Sequence, residues 1–277
     1  VAKVFFLTIA FLSIYTGSIF SNTIDSLKEL SFLWDQADKN TLVVFDVDEV
    51  LLTTEDHFGH PYAKYTFYPL FISALWKAKT KEEKEAIEDI ISLTYHLPKR
   101  VVIEEETPDL IRNLQSRGVT VVALTHFPTE KIGGMIDVPS WFVNRLKEFG
   151  FSFSDLGQSK IHLEMEPEKK HLPLLQSGVI FTSGNQKGEV LKALFKKCNF
   201  CPSKVIFIDD LSSNVESVQA AMESLAIECH AYQYKGANRF FRNEVDMDIL
   251  NYQIKYLLKN KSWISDKEVE IKRLEDK

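Results

Sequence analysis

The chain has 277 residues, 45% of them hydrophobic and 26% charged, with a formal net charge of -6. That length and composition suit one large α/β domain with an insertion, or two small domains, and exclude a disordered or fibrous protein. Nucleic-acid binding is not expected, because it needs a basic face that neutralises phosphates.

Lys3 is followed by an apolar stretch from Val4 to Tyr15 and then by Thr16-Gly17-Ser18-Ile19-Phe20-Ser21. A positive residue, a short apolar core and small residues in that order predict a secretory signal peptide over residues 1–21, cleaved after Ser18 or Ser21. The protein is therefore expected to be exported, to the periplasm or beyond the cell. The apolar run is short for a membrane span, so no stable membrane insertion is expected once the leader is removed. An uncleaved anchor and an ordinary buried element are the alternatives.

Leu42 to Leu52 is an apolar run interrupted by Asp46 and Asp48, two residues apart. Its β-branched and aromatic residues read as a buried parallel strand, and a sheet of such strands binds ligands at its carboxyl edge. Two carboxylates there are costly unless something cationic meets them. A metal ion and a phosphoryl group fit that requirement.

Residues 53–106 form an insertion too long for a plain crossover. Within it, Thr80-Lys81-Glu82-Glu83 is a capping box that leads into Ala86, Ile87, Ile90 and Ile91 at helical spacing. Tyr62, Tyr65, Phe67, Tyr68, Phe71 and Trp76 come before it. They read as the core of a small helical subdomain, or in one or two cases as the lining of a substrate pocket between that subdomain and the sheet.

Beyond the insertion, Thr107 caps a helix with Pro108 at its first position and Gly118 at its stop. Val119 to Leu124 follows as a strand ending at Thr125-His126, then a helix from Ser140 to Phe149, and Phe151 to Phe153 reads as a short edge strand. Val179 to Thr182 is a third buried strand, turned by Ser183-Gly184-Asn185-Gln186-Lys187-Gly188 into a helix from Glu189 to Lys197. Cys198-Asn199-Phe200-Cys201 has the spacing of a metal or redox motif, with two ordinary thiols or a local disulfide as the alternatives. Val205 to Ile208 ends at Asp209-Asp210, a helix runs from Asn214 to Leu225, and Ala226 to Ala231 is a last strand. A helix from Asp246 and a charged, frayed tail close the chain over residues 246–277. Strands alternating with helices predict a parallel sheet of the α/β class with helices on both faces.

Asp46, Asp48, Thr125, Lys187, Asp209 and Asp210 all fall at strand ends or at a helix start. Phosphoryl transfer needs a nucleophile made tolerable by Mg²⁺, donors for the phosphate oxygens and a cation for developing charge. Asp46 supplies the nucleophile, Asp48 the general acid and base, Thr125 and Lys187 the phosphate contacts. Asp46 and Asp209, with Asp210 near or through water, supply the oxygen ligands that Mg²⁺ prefers.

This set resembles the haloacid dehalogenase-like superfamily. Asp46-Val47-Asp48-Glu49-Val50 is similar to its first motif, Thr125 to its second, Lys187 to its third, and Ile208 to Asn214 to its fourth. With the leader, Phe181 to Gly188 also resembles a branch of exported bacterial proteins of that superfamily. The resemblance implies a Rossmann-like core over residues 22–52 and 107–245, with residues 53–106 as its small helical cap. It also implies a Mg²⁺-dependent phosphohydrolase acting on a small phosphate monoester through an aspartyl phosphate, with the backbone carbonyl at Asp48 a further metal ligand. Glu49 departs from the small or polar residues common at its position and adds negative charge there. An exported binding or effector protein of the same fold, with little or no turnover, is the alternative.

Overall fold

The structure is a computed structural model that describes residues 23–59, 61–157, 160–165, 172–240 and 245–275. The expected leader lies outside the described residues, as do the side chains of Tyr62, Tyr65 and Tyr68. Strand β1 (Thr23–Ile24) leads through a 3-10 turn into α1 (Ser31–Gln36) and β2 (Thr41–Phe45), which carries the Asp46 loop. The insertion goes out along β3 (Leu52–Thr54), through α2 (Pro61–Lys77) and α3 (Lys81–His96), and returns along β4 (Arg100–Val102). The core resumes with α4 (Thr107–Ser116), β5 (Thr120–Thr125), α5 (Val138–Glu148), β6 (Lys160–His162), β7 (Leu174–Gln176) and β8 (Val179–Phe181). It continues through α6 (Lys187–Cys198), β9 (Lys204–Asp209), α7 (Ser212–Ser224) and β10 (Glu228–Tyr234), and the chain closes with α8 (Met247–Asn260) and α9 (Asp266–Glu275).

The central sheet has eight strands in the order β1-β10-β9-β2-β5-β8-β7-β6. From β1 to β8 every pairing is parallel. The fold is α/β, and both faces of the sheet are covered. Val43 and Phe45 of β2 pack against α1, α4 and α5, whereas Leu42 and Val44 pack against α6 and α7. A strand buried on both faces cannot alternate apolar with polar residues, which explains the unbroken Leu42 to Phe45 run.

Several features differ from the sequence expectation. The sheet is not wholly parallel, because β6 and β7 add an antiparallel edge. Ser177 and Gly178, both at positive φ, turn β7 into β8 with the two-residue hairpin geometry such pairs favour. Phe151 to Phe153 is not a strand: Phe151 is buried, and Ser154 instead exchanges hydrogen bonds with Val121 on the part of β5 that β8 does not reach. The helix expected from Asp246 is present, but the charged tail after it is not frayed over its described residues: Asp266–Glu275 is a helix, with Arg273 paired to Asp246 and Asp248 and Asp266 bonded to His57 of the insertion.

Thr107 is also not the cap of α4. It is the first helical residue, and Glu106 at the cap position makes no side-chain capping bond. The capping box at Thr80 forms as its sequence predicts, with the Glu83 amide donating to Thr80 Oγ1 at 3.1 Å and the Thr80 amide donating to Glu83 Oε2 at 3.2 Å. The insertion is a helical hairpin on a two-stranded stem, β3 against β4. Its described rings do not form a core of their own. Phe58, Ala63 and Phe67 pack against Leu250 and Ile254 of α8, whereas Trp76 is 85% exposed and joins no core. The Asp266 carboxylate accepts from the His57 amide, and Asp56 accepts from Trp263 Nε1 at 2.8 Å, so the carboxyl-terminal helices fasten onto the base of the insertion. Among the described residues no helix is long and apolar enough to cross a membrane.

Helices α6 and α7 approach closely at Gly188, where an added Cβ would meet the Ser217 carbonyl at 2.2 Å. Gly188→Ala must push α7 away or shift the start of α6. A loss of about 1–3 kcal/mol is expected from such overpacking, read by urea unfolding, and unchanged stability would contradict the packing described.

Candidate functional site

Strands β2 and β9 are adjacent and parallel, so Asp46 and Asp209 emerge side by side at the carboxyl edge of the sheet. Between them stands Lys187, the first residue of α6. Its Nζ lies 2.7 Å from Asp46 Oδ1 and 2.6 Å from Asp209 Oδ2. Lys187 and Asp209 are fully enclosed, while the Asp46 side chain retains 10% exposure. Asp46 is therefore the least enclosed member of this triad.

The local chain explains the placement. Ser183 and Gly184, both left-handed, turn β8 into α6, and Asn185 Nδ2 donates to the Thr182 carbonyl at 2.8 Å. Asp209 Oδ1 accepts from the Leu211 amide at 3.0 Å and from Asn214 Nδ2 at 2.9 Å, leaving Oδ2 to Lys187. The Asp210 carbonyl is held from β10 and the turn after it, by Gln233 Nε2 at 2.9 Å and Lys235 Nζ at 3.2 Å.

Carboxylate oxygens of Asp46, Asp209 and Asp210 lie within 4.8 Å of one another. Burial, and then the neighbouring Asp209 and Asp210 charges, push the Asp46 carboxyl well above its usual range, although Lys187 opposes them. Burial alone would weaken the charge on Lys187, but Asp46 and Asp209 outweigh it and hold the ammonium above its ordinary value. Three clustered carboxylates with one buried ammonium keep a net negative charge. A hard divalent cation with oxygen ligands relieves that excess, so the donor set fits Mg²⁺.

The remaining predicted residues are placed differently. Thr125 ends β5, next to β2, and its hydroxyl accepts the Phe127 amide at 3.0 Å in the turn that follows. Asp48 sits in the loop after β2, but its carboxylate is ion-paired with Arg100 of β4 and does not join the Asp46 cluster. Glu49 adopts a left-handed conformation, φ 63°, and its buried carboxylate accepts the Thr53 hydroxyl at 2.7 Å. Cys198, Cys201 and Cys229 are free thiols.

Two contributors escaped the sequence reading. His126 follows Thr125 and spans the site floor, with Nδ1 2.6 Å from Thr182 Oγ1 and Nε2 3.4 Å from Asn214 Oδ1. It thereby connects β5 and β8 to the residue that holds Asp209. Its only sequence signal was adjacency to Thr125. Arg100 had none, because its meeting with Asp48 depends on the stem register, Thr54 opposite Arg100. Arg100 also lines a cleft of about 730 Å³ with Lys28, Glu104, Glu106, Arg239 and Phe240, and none of Asp46, Thr125, Lys187 or Asp209 contributes to it.

The chain belongs to the family described as "Protein of unknown function (DUF2608)", whose family model matches residues 23–270. It is 20% identical over 256 residues to an uncharacterised protein of Rickettsia prowazekii (strain Madrid E), covering 91% of this chain and 89% of that one. Among solved structures it is similar to a haloacid dehalogenase-like family hydrolase from Streptococcus pneumoniae, at 12% identity and a TM-score of 0.34. That match covers 77% of this chain and 98% of the other.

Removing Lys187 leaves two buried carboxylates without their shared cation. Lys187→Met should cost about 3–5 kcal/mol in metal-free urea unfolding, and adding Asp46→Asn should restore part of it. Strictly additive losses would contradict the coupling. His126 gives a pH signature: burial, helped by the Lys187 charge, holds its imidazole below the usual value. Below about pH 6.5 the unfolded chain then binds the proton more readily, so stability falls with acidification until the folded group also titrates. His126→Gln should flatten that part of a stability-against-pH curve, and an unchanged slope between pH 7 and 5 would refute the assignment.

Proposed function

We propose that the protein is a Mg²⁺-dependent phosphohydrolase of the haloacid dehalogenase-like type, acting on a small phosphate monoester. The observation that carries this reading is the buried Lys187 clasped between Asp46 and Asp209, with Asp210 alongside, at the carboxyl edge of adjacent parallel strands. The order of the motifs along the chain supports it.

Asp46, the least enclosed member of the triad, attacks phosphorus and forms an aspartyl phosphate. The bond from phosphorus to the ester oxygen breaks, its electron pair goes to that oxygen, and Asp48 delivers a proton to it. Water then attacks the phosphoryl group, Asp48 takes a proton from the water, and Asp46 and inorganic phosphate are released. Lys187 holds the Asp46 carboxylate in place and balances charge on the phosphoryl oxygens. Thr125, on the adjacent strand β5, would donate its hydroxyl hydrogen to those oxygens. Asp46, Asp209 and Asp210 would hold Mg²⁺, which supplies charge neutralisation for the phosphoryl group.

Purified protein should release phosphate from members of a phosphomonoester panel when Mg²⁺ is present and stop when EDTA is added. Asp46→Asn should lower the rate by at least roughly 10³-fold, since residues acting as a unit fail together. No phosphate release from any ester across a broad panel would refute the reading.

A further inference from the structure

Asp48 and its partner Arg100 stand apart from the triad, and their geometry assigns Arg100 a role. The chain after β2 closes into a tight loop: the Val47 carbonyl accepts both the Leu51 amide at 2.9 Å and the Leu52 amide at 3.0 Å. The Glu49 amide donates to the Leu52 carbonyl at 2.9 Å, and Asp48 bridges to Leu52, the first residue of β3. These main-chain bonds fix the backbone of Asp48 at the root of the stem. Arg100 meets its carboxylate. It is the first residue of β4, opposite Thr54, and its guanidinium Nη1 is ion-paired with Asp48 Oδ1. Their exposures differ in a telling way: the Arg100 side chain is 16% exposed and that of Asp48 33%, so the guanidinium is the enclosed anchor and the carboxylate the accessible group.

We propose that Arg100 is a positioning residue for Asp48, by which the insertion aims the proton-transferring carboxylate at the ester oxygen. The inference rests on the phosphohydrolase reading above. With Oδ1 held by a planar, rigid donor, the second oxygen takes one orientation, and the transferred proton resides there. During attack by Asp46, the electron pair of the breaking bond from phosphorus to oxygen goes to the departing oxygen, which receives the proton from Asp48. Arg100 gives up no proton and touches neither phosphorus nor the departing oxygen. Because β4 directly follows the helical hairpin, the aim of Asp48 is tied to the insertion, whereas the triad belongs to the core. The nucleophile and the acid are thus set by two different parts of the fold.

The test compares two esters by kcat/KM, which reports the phosphorylation step. An alkyl phosphate needs its departing oxygen protonated, while p-nitrophenyl phosphate releases p-nitrophenolate, a stable anion, without that help. Arg100→Ala should lower kcat/KM for the alkyl ester by about 10²-fold or more and for the nitrophenyl ester by less than about fivefold, the span expected from loss of an aligned acid. Asp48→Asn should show the same selectivity, and the double variant should lose no more on the alkyl ester than Asp48→Asn alone. Retained turnover of the nitrophenyl ester also shows that the variant folds. Equal losses on both esters, or additive losses in the double variant, would overturn the positioning role. The alkyl ester is taken from the esters that the wild type turns over, so wild-type protein inert toward the whole panel would refute the phosphohydrolase reading itself, an outcome distinct from wild-type activity with an unselective Arg100 effect.

Discussion

A lysine with no solvent exposure, bonded to two carboxylates, is the constraint around which the core is arranged. An ammonium in such a place survives only with its partners in position, and each carboxylate depends on it in return. The partners are supplied by the sheet order, which sets β9 beside β2, and by the turn at Ser183 and Gly184 that starts α6 at Lys187. Helix α6 meets α7 closely at Gly188, the residue after the lysine. Asn214, on α7, then holds the far side of Asp209, so both helices on that face bear on one ion-pair cluster. Burial makes the cluster rigid, and the surplus of carboxylates makes it a place for a cation.

The insertion supplies the other half of the arrangement. Its stem is the only covalent route from the Asp46 loop to α2 and α3, but it is braced elsewhere. Tyr95 at the end of α3 meets Phe127, with ring centres 4.7 Å apart, and His96 meets Trp141 at the same separation. On another side the carboxyl-terminal helices hold its base through Asp56, His57, Trp263 and Asp266. The insertion is thus packed against the loop after Thr125 as well as against α8. This bracing is what gives Arg100 a fixed place from which to orient Asp48.

Much of this was legible in the sequence, for identifiable reasons. The strands at Leu42, Val119, Val179 and Val205 are continuous apolar runs, and a doubly covered parallel strand can hardly be written otherwise. Asp46, Lys187, Asp209 and Asp210 could be grouped because each follows such a strand or opens the helix after one, where parallel topology gathers ends at one edge. What depends on contacts between distant segments was not legible. The antiparallel edge rests on a Ser177-Gly178 hairpin with only three residues in each flanking strand, too short for alternation to show. The order at the carboxyl end arises because Val269, buried in a highly charged helix, packs with Ile249 and Ile264. The orientation of Asp48 was set by Arg100, 52 residues away, and the Glu49 carboxylate by Thr53.

The central claim is that Asp46 is the group that takes the phosphoryl load. Protein mixed with a turned-over phosphomonoester and Mg²⁺, quenched in acid and digested, should yield one peptide spanning residues 42–52 with the mass of an added phosphoryl group. Fragmentation should place that group on Asp46, and hydroxylamine should remove it, as expected of an acyl phosphate. Phosphate release with no label on Asp46, or with the label on another residue, would contradict the account.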